Sequence, residues 1–284
     1  MNSWRLVRSG SMEPRLNMAL DEAIFQAHAG GNAPPTLRFY GWSPPAVSLG
    51  YFQDPADIDV SECRRMGMDV VRRVTGGRAV LHLDDLTYSV VAGAGQGIPG
   101  SAKAAYRRIG EALLSGLSLI GIEADVSGRM APAGPGAICF LHSVGGDVAF
   151  RGKKLVGSAQ AWQGNSLLQH GSVLLAPRTD PWKWILRSGE DPEEVLRDRT
   201  TSIEEILGRP VSSEEMTEAL ARGFATTLDI VLEPGRVTEE EWAVARALAS
   251  KADEKLSTPD LSERACGGSQ EACGISSIRD RESV

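Results

Sequence analysis

The sequence has no apolar run that approaches the roughly 18–20 residues needed to span a membrane. Its N-terminal stretch lacks the apolar core of a signal peptide. Cysteine is scarce, with four in 284 residues, and their spacing matches neither a disulfide framework nor a zinc site. No internal repeat is visible. These absences predict a cytoplasmic protein with no membrane contact and no bound metal.

Positive charge is also in deficit, because the formal net charge is −7. This balance argues against general nucleic-acid binding, although a local basic patch remains possible. The rest of the composition, 42% apolar and 24% charged, is that of an ordinary globular protein of one or two domains. The stretch 251–284 is polar and rich in Ser and Gly, which predicts a disordered tail.

Helical and strand-like patterns alternate along the chain. Apolar residues at three- and four-residue spacing predict a helix from Ser11, its candidate cap, to Ala29. Asn17, Asp21 and Glu22 are expected on or beside its solvent face. Further helices are predicted at 102–120, 212–230 and 238–251. Strands are predicted at 4–7, on both sides of 41–45, and at 68–74, 86–92, 147–150, 155–162 and 167–175.

Two adjacent glycines, Gly76 and Gly77, interrupt strand-like sequence, with Arg72, Arg73 and Arg78 on either side. Paired glycines let the backbone adopt positive φ and approach a ligand closely. The arginines would suit an anionic or carbonyl-bearing ligand. The same residues also fit a tight hairpin whose arginines face solvent. From spacing alone, the two interpretations remain open.

Cys139 follows a loop rich in Gly, Pro and Ala rather than lying inside a periodic element. A cysteine in that position can present its sulfur to a cleft, but a lone cysteine, such as Cys63, is more often a small buried side chain. Lys153 and Lys154 begin a strand after a predicted turn, so they point to opposite sides and one can face inward. Lysines at a hairpin tip are usually exposed, so their position alone predicts no function.

Several stretches resemble the motifs of one family and occur in that family's order. They are NMALDEAI (17–24), PPTLRFYGW (34–42), SLGYFQ (48–53), RRVTGGRAVLH (72–82), LTYSV (86–90), GKKLVGSAQ (152–160) and LQHGSVLL (168–175). The family is the lipoate-protein ligase A group, within the superfamily of biotinyl/lipoyl protein ligase catalytic domains. The resemblance covers roughly residues 3–245. It implies an α/β (α+β) fold with a mixed, largely antiparallel sheet flanked by helices. The catalytic domain would span 1–250, with a small helical extension from about residue 200, followed by the tail 251–284.

Within this family the chain most resembles the LipM-type octanoyltransferases, through the pair Cys139-Phe140 ahead of GKKLVGSAQ and the QGNS turn ahead of LQHGSVLL. Those enzymes move an octanoyl group from acyl carrier protein to a lysine of a lipoyl domain, typically the glycine-cleavage H protein, in lipoate biosynthesis. The resemblance implies that Cys139 carries the acyl group as a thioester and that Lys154 favours its thiolate and helps to position the acyl carbonyl. The donor thioester is already activated, so no nucleotide or other cofactor is implied.

The matched motifs also imply substrate-binding residues. These are Arg73, Gly76, Gly77, Arg78, His82, Gly157, Ser158, Ala159, His170 and Gly171. The paired glycines would embrace the acyl carbonyl end, and the arginines would lie near it or near the phosphopantetheine of the carrier. His82 fits a structural histidine better, and the role of His170 is open. Wall candidates for the acyl chain, each of which also fits plain core, are Val74, Ala79, Val156, Ala159 and Val173.

Acyl carrier proteins and lipoyl domains are acidic, so an enzyme of net charge −7 needs a local basic surface to bind them. The candidates are Lys103, Arg107, Arg108, Arg151 and Lys153.

Other functions remain open beside octanoyl transfer from acyl carrier protein. An ATP-dependent lipoate-protein ligase would activate free lipoate and would not need Cys139. An amidotransferase would take its acyl group from another lipoyl domain, also through cysteine. A non-catalytic lipoyl- or carrier-binding module would form no acyl-enzyme. Dependence on ATP and the identity of the donor distinguish these alternatives.

Overall fold

The structure is a computed structural model that describes residues 2–128, 136–142, 146–177, 181–189, 191–252 and 256. Most of the Gly/Pro/Ala loop before Cys139 and most of the predicted tail 251–284 lie outside these residues. The strands are β1 (Asn2–Met12), β2 (Thr36–Trp42), β3 (Ala46–Leu49), β4 (Asp69–Arg72), β5 (Val80–His82), β6 (Asp85–Gly93), β7 (Asp125–Val126), β8 (Val148–Phe150), β9 (Lys153–Gln163), β10 (Ser166–Leu174) and β11 (Ile230–Pro234). The helices are α1 (Pro14–Ala29), α2 (Val60–Arg65), α3 (Ala102–Ser118), α4 (Trp182–Ile185), α5 (Glu193–Arg199), α6 (Ile203–Leu207), α7 (Ser213–Leu228) and α8 (Glu239–Ala249).

The main sheet has eight strands in the order β11-β1-β2-β6-β10-β9-β8-β7. β11, β1 and β2 run parallel, and the remaining neighbours are antiparallel. The predicted turn between β8 and β9 is confirmed: Arg151 and Gly152 both have positive φ, 49° and 81°, as a two-residue hairpin connection requires. The expected mixed, largely antiparallel sheet flanked by helices is therefore confirmed.

The two faces of this sheet differ in chemistry. On one face, Tyr88, Leu167 and Val173 belong to a large apolar cluster that includes side chains of α3 and α7. On the other face, four neighbouring strands place Tyr40, Thr87, Ser172 and Gly157 in one register row. Because alternate residues of a strand face opposite sides, one face supplies the large core, and the other carries this polar row beside a smaller apolar cluster that Val91 and Leu168 form with α1.

A second, three-stranded sheet has the order β4-β3-β5. β3 pairs with β4 in parallel and with β5 in antiparallel orientation, so the glycine-containing loop 73–79 passes the end of β3. The hairpin interpretation of Gly76-Gly77 is therefore wrong, because the strands on either side of the loop pair with β3 and not with each other. The apolar cluster of this sheet includes Cys63, whose burial raises the pKa of its thiol to about 12. This confirms the prediction of a small buried side chain.

α1 begins at Pro14, not at Ser11, because Ser11 belongs to β1 and pairs with Gly41 of β2. The expectation that Asn17 and Asp21 face solvent is also wrong, since their exposures are 0% and 1%. Arg38 of β2 is buried beneath the helix and donates hydrogen bonds to both side chains. A buried guanidinium needs such partners, and these polar residues therefore turn inward.

The segment beyond about residue 200, predicted as a helical extension, contributes to the main sheet and its helical layers. α7 packs against α3, β11 forms the sheet edge beside β1, and α8 packs against α1. Across the described ranges, no helix is long and apolar enough to cross a membrane.

Candidate active site

A pocket opens on the polar face of the main sheet, between α1 and the three-stranded sheet. It encloses about 370 Å³ of empty space, counting the part open to solvent. Its lining residues are Met18, Tyr40, Trp42, Ser48, Arg73, Val80, His82, Thr87, Cys139, Gly157, Ser158, Ala159, His170, Gly171 and Ser172. The structure thus brings most of the predicted site residues to one cavity, although Gly76, Gly77, Arg78 and Lys154 do not line it.

Cys139 opens a 3-10 turn, Cys139–Leu141, that reaches the pocket from outside the main sheet. Its N–H donates to the carbonyl of Ala79 at 2.9 Å. Phe140 and Leu141 are buried in the apolar cluster of the small sheet, whereas Cys139 itself is only partly buried. Two apolar anchors therefore fix the turn and leave the sulfur at the cavity, as predicted for a cysteine that arrives from a loop.

Lys154 faces inward and is 2% exposed. Its ammonium forms an ion pair of 2.8 Å with Asp147 and donates to the carbonyl oxygens of His142 and Cys139 at 3.1 and 3.4 Å. Gly157 leaves room for it, because a Cβ there would lie 2.8 Å from Cε and 3.2 Å from Nζ of Lys154. Lysine and cysteine are therefore neighbours, as the family motifs implied.

Two cationic side chains, Lys154 and Arg73, and the Asp147 carboxylate are buried around Cys139. Burial alone would lower the pKa of Lys154, but the charges of Cys139 and Asp147 outweigh it and the pKa is raised. Burial lowers the pKa of Arg73, and interaction with Cys139 opposes that effect. Two buried cations thus face one carboxylate, and a thiolate at Cys139 would balance them.

Arg73 fixes the glycine-containing loop. Its Nη1 donates to the Ser48 carbonyl at 2.7 Å, and its Nη2 donates to the carbonyls of Gly76 and Arg78 at 2.9 and 2.8 Å. Gly77 has φ +93°, and a Cβ there would lie 2.8 Å from Arg73 Nη2 and 4.0 Å from Cys139 Sγ. The loop backbone therefore approaches the sulfur closely, and the guanidinium is engaged with carbonyl groups. A contact of Arg73 or Arg78 with substrate stays a prediction.

His170 connects this loop to α1. Its ring nitrogens lie 2.7 Å from Thr75 Oγ1 and 3.1 Å from Asp21 Oδ2. Asp21 also accepts hydrogen bonds from Arg38 and from the Tyr40 hydroxyl, each at 2.7 Å. A buried polar network thus extends from α1 through β10 to the loop, and His170 occupies its middle.

His82 lies at another part of the cavity wall. Its Nε2 is 2.9 Å from Ser48 Oγ, and its Nδ1 is 2.9 Å from Asp85 Oδ2. The imidazole stacks on Trp42, with ring centroids 3.8 Å apart and planes 17° from parallel. The ring is therefore held at both nitrogens and on one face, in agreement with a structural histidine, yet it lines the pocket.

Two predicted residues contribute backbone rather than side chain. The Ser158 hydroxyl lies 2.7 Å from the Tyr88 hydroxyl, on the core face of the sheet. A Cβ on Gly171 would lie 2.5 Å from that Ser158 oxygen and 2.7 Å from the Tyr88 ring, so Gly171 is required by packing. Of the wall candidates, only Ala159 lines the cavity, whereas Val156 and Val173 belong to the main core.

Sequence reasoning missed Asp147 as the partner of Lys154. Asp147 Oδ1 also accepts from the Tyr106 hydroxyl at 2.8 Å, which places a residue of α3 beside the site. Tyr106 lies within the predicted helix 102–120, and a tyrosine among the apolar residues of that helix was the available signal, since a buried phenol requires a polar partner. No group of three or more potential metal-ligating side chains occurs among the residues that the structure describes.

Comparisons with known proteins agree with this architecture. The lipoyl protein ligase A/B catalytic domain matches residues 13–225. Octanoyltransferase LipM of Kyrpidia tusciae is 44% identical over 88% of this chain and 96% of its own length, and the namesake from Symbiobacterium thermophilum is 42% identical over 87% and 94%. Among solved structures, the bi-partite lipoate protein ligase of Thermoplasma acidophilum has a TM-score of 0.77 at 27% identity, covering 92% of this chain and 98% of its own. A lipoate-protein ligase A bound with ATP has a TM-score of 0.75 at 27% identity, covering 91% and 100%.

Proposed function

Because the chain belongs to the lipoyl protein ligase A/B catalytic domain family and is an octanoyltransferase of lipoate biosynthesis, we propose that Cys139 carries the octanoyl group as a thioester. The observation that supports this most directly is the position of its sulfur at a cavity, flanked by the buried cations Lys154 and Arg73. Cations beside a thiol stabilise the thiolate, which is the nucleophilic form.

The first half of the reaction is thioester exchange. The Cys139 thiolate attacks the carbonyl carbon of the donor thioester and forms a new carbon–sulfur bond, while the bond from that carbon to the carrier's sulfur breaks. The carrier's sulfur leaves as a thiolate, which takes up a proton from solvent. The acyl group stays at thioester energy throughout, so no nucleotide is needed. Lys154 acts here as a fixed charge, since its ion pair with Asp147 and its raised pKa keep it protonated.

The acyl chain would lie across the strands on the polar face. From Gly157 beside Cys139, the register row passes Ser172 and Thr87 and ends at Tyr40. Three strand spacings cover about 14 Å, whereas eight extended carbons with bonds of about 1.5 Å span about 9 Å. The row is thus long enough for an octanoyl chain, and Met18 is an apolar lining residue suited to contact it.

We further propose acyl carrier protein as the donor and a lipoyl domain, such as that of the glycine-cleavage H protein, as the acceptor. Among the predicted basic residues, Arg107 and Arg108 are paired with Glu111 on α3. Arg151 and Lys153 belong to the β8–β9 hairpin that carries Lys154, so they offer positive charge near the site for acidic partners. Residues 1–250 would form the catalytic unit, as the sequence predicts.

The test is intact-protein mass spectrometry after mixing the chain with octanoyl acyl carrier protein in the absence of ATP, with Cys139→Ser in parallel. We expect a hydroxylamine-labile octanoyl adduct on the wild type only, and its discharge when a lipoyl domain is added. No adduct on the chain, but lipoylation of the lipoyl domain once ATP and free lipoate are supplied, would instead identify a ligase. Formation of the adduct from an octanoylated lipoyl domain but not from octanoyl acyl carrier protein would identify an amidotransferase.

A further inference from the structure

In the second half of the reaction, the octanoyl group passes from Cys139 to the acceptor lysine, a step called discharge of the acyl-enzyme below. This step rests on the function proposed above, and it releases two protons. The acceptor lysine is an ammonium at neutral pH and ends as a neutral amide, while the sulfur departs as a thiolate. One proton must leave before attack, because an ammonium has no lone pair. The second leaves as the tetrahedral intermediate collapses and the carbon–sulfur bond breaks. A nearby group that exchanges protons near neutral pH would serve this step.

The two cations at Cys139 do not meet that requirement. The Lys154 ammonium is bound to the Asp147 carboxylate at 2.8 Å and donates to the carbonyl oxygens of His142 and Cys139 at 3.1 and 3.4 Å, so its three N–H groups are engaged with protein acceptors. A protonated ammonium in an ion pair is a poor proton acceptor. Arginine stays protonated in proteins, so Arg73 is also excluded.

Ser48, His82 and Asp85 form a chain of polar contacts at the wall of the same cavity. Ser48 Oγ lies 2.9 Å from His82 Nε2, and His82 Nδ1 lies 2.9 Å from Asp85 Oδ2. Ser48 and His82 both line the pocket together with Cys139. The order hydroxyl, imidazole, carboxylate is the arrangement by which proteins make a histidine accept a proton through a hydroxyl group.

The surrounding contacts fix the direction of proton movement. The Asp85 carboxylate accepts hydrogen bonds, so Nδ1 of His82 carries its proton and Nε2 remains the acceptor. Arg73 Nη1 donates to Ser48 Oγ at 3.2 Å, which orients the Ser48 hydroxyl proton toward Nε2. The charged groups that face His82 include Asp85 on β6 and, beyond Ser48, Arg73. Ser172 Oγ of β10 also lies 3.2 Å from Nδ1, and Trp42 covers one face of the ring.

We propose that His82, held by Asp85 and reached through the Ser48 hydroxyl, accepts protons from the acceptor lysine during discharge of the acyl-enzyme. The lysine N–H donates to Ser48 Oγ, whose own proton passes to Nε2 of His82. Asp85 stabilises the imidazolium that forms, and release of that proton to solvent readies the ring for the second one. His82 is then a proton acceptor in this step, beyond the structural role that its hydrogen bonds suggest.

The experiment uses octanoyl-enzyme formed on the full chain and discharged by two nucleophiles, measured by mass spectrometry in single turnovers. One is a saturating lipoyl domain, whose lysine must lose protons. The other is hydroxylamine, which carries no charge at neutral pH. For His82→Gln we expect discharge to the lipoyl domain to fall about 100-fold, against less than about threefold for hydroxylamine. Asp85→Asn should slow discharge to the lipoyl domain by a smaller factor, and it should likewise affect discharge by hydroxylamine less than discharge to the lipoyl domain.

His170→Gln is the matched control, because His170 is also a pocket histidine held between a carboxylate and a hydroxyl. Its effect should be equal for the two nucleophiles, as expected for a loop-positioning group. The proposal would be overturned if His82→Gln slowed discharge equally for both nucleophiles, or if it did not slow discharge to the lipoyl domain. It would also be overturned if His142→Gln, and not His82→Gln, slowed discharge to the lipoyl domain selectively. If no adduct forms on wild-type Cys139, the proposed function itself fails, which is a separate result.

Discussion

Gly50, which follows β3, lies against the backbone of the glycine-containing loop 73–79 beside the candidate site. A Cβ on Gly50 would lie 1.9 Å from the carbonyl oxygen of Gly77, whereas real Cβ contacts below 3.0 Å essentially never occur. Gly50→Ala must therefore move the loop by about 1 Å, since both partners are backbone atoms. Displacements of that size at a catalytic centre cost about 100-fold in rate, and overpacking costs about 1–3 kcal/mol of stability.

The assay is the rate constant for octanoylation of Cys139, followed by rapid quenching and mass spectrometry, with a thermal melt of each variant. Gly76→Ala is the matched substitution, because a Cβ on Gly76 meets nothing within 4 Å and its φ is not in the left-handed region. We expect Gly50→Ala to octanoylate at least about tenfold more slowly than Gly76→Ala, given the displacement argument. Equal rates in the two folded variants would show that the position of Gly77 does not control the reaction.

Two further predictions concern buried charges. Lys154→Met leaves the buried Asp147 carboxylate without its ammonium partner, so it should lower the free energy of unfolding by about 3–5 kcal/mol and slow the octanoylation of Cys139. Adding Asp147→Asn should restore the stability measured in urea but not the octanoylation rate. Recovery of both would refute a role for the charge of Lys154. Burial would raise the pKa of Asp21, but Arg38 and the hydrogen bonds from His170 and Tyr40 lower it below its ordinary 3.8. The charged carboxylate therefore stabilises the folded protein above pH 3.8. This contribution is lost as the pH falls through the lowered pKa that Asp21 has in the folded protein. Asp21→Asn should thus be about 3–5 kcal/mol less stable than wild type at pH 7, with the gap narrowing in urea titrations below pH 3.8, and a constant gap would contradict the assigned charge.

Local patterns predicted most elements, because alternation and three- to four-residue spacing depend on residues close in sequence. The β8–β9 turn, α3, α7 and the inward orientation of one of two adjacent lysines were all accessible in this way. The start of α1 was misplaced because Ser11 is claimed by pairing with β2, a contact that no local pattern reveals.

The residues of the candidate site were predicted from motifs. The motifs did not reveal which side chains form ion pairs or hydrogen bonds with residues distant in the sequence. Asp21 was expected in solvent because its helix gives no sign of Arg38 beneath it. Asp147 gave no signal as the partner of Lys154, because their ion pair forms only when β8, which follows Asp147, pairs with β9. Ser158 lines the pocket, but strand alternation turns its hydroxyl to the core face, so a contact of Ser158 with substrate stays a prediction.

The position of β11 has a consequence for how the chain is made. β1, the first strand, pairs on its outer side with residues 230–234, which leave the ribosome last among the strands. Arg5 of β1 likewise forms its buried ion pair with Glu241. Until those residues emerge, the nascent protein keeps a bare strand edge and an unneutralised cation at its N-terminal side, both of which invite association with other chains. Such long-range closure is also slow, so a chaperone that shields this edge during synthesis would raise the yield of native protein.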